Sequence, residues 1–271
     1  MDQPIGVIDS GVGGLTVASE LMRQLPKEEL IYLGDTLRCP YGPRTCKEVI
    51  QFTWEMVDFM LSKRVKMLVV ACNTATAFTL EQLRQELPIP VIGVIKPGAR
   101  AAIKMSQNLH IGVIGTEGTI NSKAYPNALK DINSNIHVND LACTSFVPMV
   151  EAGVLEGPEA FKIVSDTLTP MKEQNHIDTL ILGCTHYPLI RPIIQQVMGD
   201  KVTLISSGEE TALQVSTILG YQKKLFNGDR APMHQFYTTG CVEVFEEIAN
   251  KWFERPVARI ENISLGVGTR K

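Results

Sequence analysis

The chain predicts an α/β fold of two pseudo-symmetric three-layer domains, each on a largely parallel sheet, with a site in the cleft between them. Three observations carry this. Short apolar runs of strand length alternate with helix-period stretches, the pattern of parallel sheets. Four of these units recur in the same order in the second half of the chain. Two of the recurring strands end in a cysteine followed by small polar residues, and ligands of open α/β sheets collect at such strand ends.

In order, Ile5-Gly6-Val7-Ile8 is the first strand, closed by Asp9-Ser10-Gly11-Val12-Gly13-Gly14. Glycines there allow a tight turn and close approach of amides to a ligand, and a helix starting near Leu15 adds its positive end. The third glycine of G-x-G-x-x-G is missing, so a dinucleotide site is weakly supported. Leu30-Ile31-Tyr32-Leu33-Gly34-Asp35 is the second strand. The loop Cys39-Pro40-Tyr41-Gly42-Pro43-Arg44 is stiffened by two prolines. Residues 46–62 carry Val49, Ile50, Phe52, Val57, Phe59, Met60 and Leu61 at helical spacing, which core packing explains. A third strand, Met67-Leu68-Val69-Val70-Ala71, runs into Cys72-Asn73-Thr74 and a helix to about Glu86. A fourth spans residues 88–95 and ends at Lys96-Pro97-Gly98-Ala99.

The pattern then restarts. Ile111-Gly112-Val113-Ile114-Gly115-Thr116 echoes the first strand 106 residues on (111 − 5), and Ile136-His137-Val138 echoes Leu30-Ile31-Tyr32 at the same offset (136 − 30). Thr179-Leu180-Ile181-Leu182-Gly183-Cys184 echoes the Cys72 strand at 112 (184 − 72), and the strand from Val202 echoes that from Val91 at 111 (202 − 91). The later tail reads as a helix through Leu219, a strand at His234-Gln235-Phe236-Tyr237-Thr238-Thr239, a helix over 242–253 and a last strand over 257–263 that completes the first half. The expected domains are therefore 1–96 with 209–271, and 97–208.

The 271 residues are 44% hydrophobic and 20% charged with a net charge of −3, an ordinary globular composition offering no electrostatic footprint for nucleic acid or anionic membrane. No apolar run is long enough to span a bilayer, and the first strand begins too early for a signal peptide. A cytoplasmic location is expected, with no nucleic-acid or membrane partner. Cysteines 39, 46, 72, 143, 184 and 241 contain no C-x-x-C pair and read as free thiols, with Cys143 and Cys241 as inert buried ones.

The repeat puts Cys72 and Cys184 at equivalent places on opposite walls of the cleft. A thiolate on one face of a compact substrate can take a proton from carbon while a thiol on the other face delivers one, inverting a stereocentre. The anionic groups Asp9 and Glu151 and the imidazole of His186 could assist or orient the sulfurs. Each also has a bland reading: Asp9 as a turn former, His186 as a cap, Glu151 as a solvated loop acid. Metal ligation by Cys184 and His186 lacks an obvious third ligand, so no metal is expected.

The motifs Asp9-Ser10-Gly11, Cys39-Pro40-Tyr41-Gly42-Pro43-Arg44, Ala71-Cys72-Asn73-Thr74-Ala75-Thr76 and Gly183-Cys184-Thr185-His186-Tyr187-Pro188 resemble those of bacterial glutamate racemases, and the likeness extends from Pro4 to near Trp252. The resemblance implies a cofactor-independent, two-base interconversion of L- and D-glutamate that supplies D-glutamate for peptidoglycan, by a homodimer. It implies that Cys72 works on the α-proton of the D-enantiomer and Cys184 on that of the L-enantiomer, with Asp9 and His186 beside the thiols and the substrate ammonium. Ser10, Tyr41, Gly42, Asn73, Thr74 and Thr185 match positions that hold the two carboxylates, and Glu151 an acid supporting Cys184. Rival readings are a racemase of aspartate or another small acid, a hydrolase or isomerase using one cysteine with His186, and a two-lobed binding protein.

Overall fold

The computed structural model of the chain describes residues 2–173, 176–252 and 259–266. In chain order the strands are β1 (Ile5–Asp9), β2 (Leu30–Gly34), β3 (Met67–Val70), β4 (Val91–Gly93), β5 (His110–Gly115), β6 (His137–Ala142), β7 (Thr179–Gly183), β8 (Thr203–Ser206), β9 (Gln235–Thr238) and β10 (Ile260–Asn262). The helices are α1 (Leu15–Gln24), α2 (Cys46–Ser62), α3 (Asn73–Glu86), α4 (Ile95–Met105), α5 (Glu117–Asn121), α6 (Ala124–Ile132), α7 (Phe146–Glu151), α8 (Gly157–Lys172), α9 (Arg191–Met198), α10 (Ser207–Tyr221) and α11 (Val242–Trp252).

Two sheets result, ordered β10-β9-β2-β1-β3-β4 and β6-β5-β7-β8, and every strand pair among the described residues is parallel. The predicted repeat is visible in the topology: β2-β1-β3-β4 and β6-β5-β7-β8 are the same order four strands apart. Beyond α10 the chain returns to the first sheet, where β9 pairs with β2 and β10 with β9. The part of the expected last strand before Arg259 lies outside the described residues.

Both faces of each sheet are covered, which is why the strands are apolar throughout instead of alternating. In the first sheet Ile5, Val7, Leu30, Tyr32, Met67 and Val69 face one core, and Ile8, Ile31, Leu33, Leu68 and Val70 the other. In the second, Ile114, Leu180, Leu182 and Leu204 face one side and Ile111, Val113, Ile181 and Ile205 the other. Period-two alternation splits each strand between two cores, giving three layers. Among the described residues no helix is long and apolar enough to cross a membrane.

Two local expectations are corrected. The fourth strand stops at Gly93, and Ile95-Lys96-Pro97-Gly98 is already the first turn of α4. Proline fits there because the amides of a first turn have no intrahelical partner to lose. The sequence after Cys184 also suggests that Pro188 opens a helix, but residues Tyr187–Ile190 form a 3-10 turn and α9 starts at Arg191. A continuous α-helix would need an amide at residue 192 to reach the Pro188 carbonyl, and Pro192 has none.

The turn after β1 is tied down by Tyr32 from β2, whose buried hydroxyl donates to the Gly11 carbonyl at 2.8 Å. Its ring packs beside Phe236 and Phe245. Removing the hydroxyl strands that carbonyl in the core. Tyr32→Phe is expected to lower unfolding free energy by about 1–3 kcal/mol, read by chemical denaturation.

Candidate active site

The carboxyl ends of β1, β3, β5 and β7 meet at one small cavity. It is lined by Ser10, Tyr41, Gly42, Cys72, Asn73 and Thr74 from the first-sheet side, and by Thr116, Val147, Gly183, Cys184, Thr185 and His186 from the other, with Pro40 at its edge. The two sulfurs therefore open into the same space. Only about 10 Å³ is open to the centre of a water-sized sphere, the room of a single water.

The cavity is held shut by bonds between the two sides. Thr185 Oγ1 donates to Asp9 Oδ1 at 3.3 Å, and Thr16 Oγ1 donates to the Thr185 carbonyl at 3.2 Å. The Gly118 amide donates to the Gly42 carbonyl at 3.0 Å. Thr74 shares a hydroxyl knot with Thr116 (2.8 Å) and Thr119 (3.2 Å), and Tyr125 donates to Asn73 Oδ1 at 2.8 Å. Close approach needs glycine at one point above all. A Cβ on Gly13 would lie 2.5 Å from Thr185 Oγ1 and 2.6 Å from His186 Nδ1, inside any tolerable contact.

The thiols are both buried but unlike in surroundings. Cys72 caps the 14-residue helix α3, its sulfur accepting from the Ala75 amide at 3.4 Å. Burial, then the charge of Asp9, pushes this thiol up to about 12, against the Ala75 amide and Ser10. Cys184 has only the 3-10 turn after it, and its sulfur lies 3.7 Å from His186 Nδ1. Burial alone would lower the His186 pKa, but hydrogen bonds to Cys184 and Glu151 outweigh it and raise it to about 10. His186 Nε2 meets Glu151 Oε1 at 2.5 Å. The result is a relay from the partly exposed Glu151 through His186 to the buried Cys184.

A family model described as Asp/Glu/Hydantoin racemase matches residues 5–215. A glutamate racemase of Oceanobacillus iheyensis is 65% identical over 254 residues, 94% of this chain and 93% of that one. The chain belongs to this racemase family. The crystal structure of glutamate racemase isoform RacE1 from Bacillus anthracis resembles it with a TM-score of 0.94 at 49% identity, over 97% of this chain and 98% of that one. Glutamate racemase of Francisella tularensis in complex with D-glutamate does so at 0.89 and 34%, over 97% and 98%.

Within this racemase, the residues singled out from sequence fall into three positions. Ser10, Tyr41, Gly42, Cys72, Asn73, Thr74, Cys184, Thr185 and His186 line the cavity. Asp9 sits behind it, fully buried, its Oδ2 accepting from the Gly11 amide at 3.0 Å. Burial raises its pKa, opposed by His186, the Gly11 and Gly14 amides and Thr185. Glu151 ends α7 and reaches the cavity only through His186. The Tyr41 hydroxyl is committed to Asp35 Oδ2 at 2.5 Å, so the contribution of residues 41–42 to a ligand falls to ring and backbone. Cys143 is buried, whereas Cys241 is exposed at the start of α11, its thiol donating to Glu243 at 2.8 Å.

Thr116, Thr119 and Tyr125 were missed. The repeat carried a signal for Thr116, which stands 106 residues after Ser10 (116 − 10), the offset separating Ile111 from Ile5. Thr119 and Tyr125 gave none, because their partners Thr74 and Asn73 are more than forty positions away. Gly13→Ala is expected to cost about a hundredfold in turnover, since misplacing reacting groups by about 1 Å has that effect. A melting temperature close to the parent's would show that the loss lies in the site.

Proposed function

We propose that this racemase interconverts L- and D-glutamate by a two-base mechanism in which Cys72 and Cys184 act on opposite faces of Cα. The observation that carries the reading is that both thiols line one cavity while belonging to opposite sheets. From the D-enantiomer, Cys72 as thiolate takes the α-proton and the Cys184 thiol gives one to the other face. From the L-enantiomer the roles reverse. Both transfers fall to side chains of the chain, so the scheme requires neither pyridoxal phosphate nor a metal.

Burial and the charge of Asp9 favour the protonated form of Cys72. A substrate ammonium placed between Asp9 and the thiols offsets that charge and favours the thiolate. On the other side, Glu151 fixes the His186 ring and His186 supports charge on Cys184. The Asn73 side-chain amide nitrogen is buried with no hydrogen-bond partner. A carboxylate satisfies it, and the N-terminus of α3 adds its dipole beside Asn73 and Thr74. Ser10, Thr185 and the backbone of Tyr41 and Gly42 complete the carboxylate contacts. General acid–base catalysis contributes about 10²–10⁴-fold, and charge stabilisation in a dry cleft supplies the remainder.

Because the closed cavity holds about one water, the lobes (1–96 with 209–271, and 97–208) must part to admit substrate. Small-angle scattering is expected to differ with and without glutamate, and superimposable profiles would argue against this motion. The family likeness further supports a cytoplasmic homodimer supplying D-glutamate to peptidoglycan synthesis, its stoichiometry testable by light scattering.

Cys72→Ala and Cys184→Ala are each expected to abolish racemisation, measured by circular dichroism of the substrate. Near wild-type turnover in either variant defeats the two-base scheme and favours a single-thiol enzyme. In deuterated water the parent should place deuterium at Cα of the product, which a binding protein cannot do. Glutamate should exceed aspartate, one methylene shorter, by roughly 10–200-fold in kcat/KM. Equal values, or a preference for aspartate, would reassign the substrate.

A further inference from the structure

Cys39, Glu151 and His186 come from three separate segments, the loop after β2, the end of α7 and the turn after β7, yet their ligand atoms all lie within 4.8 Å of one another. The Cys39 thiol points at Glu151 Oε1 at 3.8 Å, and that same oxygen meets His186 Nε2 at 2.5 Å. We propose that these three side chains form a binding site for Zn²⁺ whose occupation arrests the enzyme with its cleft closed.

The donor set is one sulfur, one imidazole nitrogen and one carboxylate oxygen, with a fourth position left for water, a combination that zinc favours. With Zn–S near 2.3 Å and Zn–N or Zn–O near 2.0–2.1 Å, tetrahedral ligand atoms stand about 3.3–3.6 Å apart. The sulfur–oxygen pair is already close to that separation. The nitrogen–oxygen pair widens once the proton between them is replaced by the metal. Binding releases the Cys39 thiol proton and the His186 Nε2 proton to solvent, and no electron is transferred.

Two consequences for turnover follow. His186 Nε2 is no longer available to Glu151, so the relay behind Cys184 is broken. Cys39 follows a strand of the first sheet while Glu151 and His186 belong with the second, so the metal bridges the two sides of a cavity too small for substrate. Cys184, at 3.7 Å from the other ring nitrogen, is not part of this trio.

The test uses the full chain with a reductant that does not bind metals. Equilibrium dialysis against Zn²⁺ is expected to leave one ion per chain, and Co²⁺ in its place to give a thiolate-to-metal charge-transfer band. Cys39→Ser should abolish the band and weaken zinc binding by more than the 10–100-fold typical of losing a mere ligand support. With chelator present this variant should racemise like the parent, and zinc should no longer inhibit it. Should Cys39→Ser not fold, Glu151→Gln, read by dialysis and the cobalt spectrum alone, should show the same loss of metal. Failure of the parent to retain zinc, or a band and affinity unchanged by these substitutions, overturns the proposal. Metal retention is measured without substrate, so the result stands apart from the racemase assignment.

Discussion

Parallel strands all end on the same edge of their sheet, and this constraint governs the molecule. A chain that builds two parallel sheets in the same strand order possesses two such edges, each followed by turns and helix starts rich in backbone donors. Facing the edges toward each other converts the duplication into a cavity. The buried, apolar strands have no chemistry of their own. They fix the spacing at which Asp9, Cys72, Thr116 and Cys184 leave their sheets.

The two walls are equivalent in topology and unequal in electrostatics. Cys72 draws on a long helix and a single amide, while Cys184 draws on an imidazole held by an acid. The difference originates in the prolines after Cys184, which replace an α-helical start with a 3-10 turn and bring His186 close to the sulfur. Pseudo-symmetry therefore provides two buried thiols on facing walls, and local sequence gives each its own surroundings. Asp9 lies at their junction, buried, bonded to Thr185 and close enough to both sides to bias them.

Much of this was legible in the residues because it is local. The strand-cysteine-polar pattern at 67–74 and 179–186 sets position and direction together, and the offsets between halves forecast that two sheets would share one four-strand plan. The return of the tail to the first half was likewise readable, since β9 and β10 have no counterpart in the repeat. What stayed hidden depends on contacts across sequence distance. The Thr74–Thr116–Thr119 knot and the Tyr125–Asn73 bond join residues that no periodicity links. The convergence of Cys39 with Glu151 spans 112 positions. Pro97 marks a helix start, and Pro192 forbids a continuous helix from Tyr187.

The interrupted path of the first sheet also shapes how this protein is born. Its first four strands leave the ribosome early, but β2 lacks its outer neighbour until β9 has been translated. The intervening 141 residues (94 to 234) correspond to roughly 7–30 s of synthesis at about 5–20 residues per second. Throughout that interval a nascent sheet carries an edge that its mature neighbour will cover, and an open edge invites misassociation, whereas the β5–β8 sheet gains all four of its strands without interruption. Premature termination near the end of the message therefore harms the lobe made first, leaving the middle of the polypeptide as the portion best able to survive truncation.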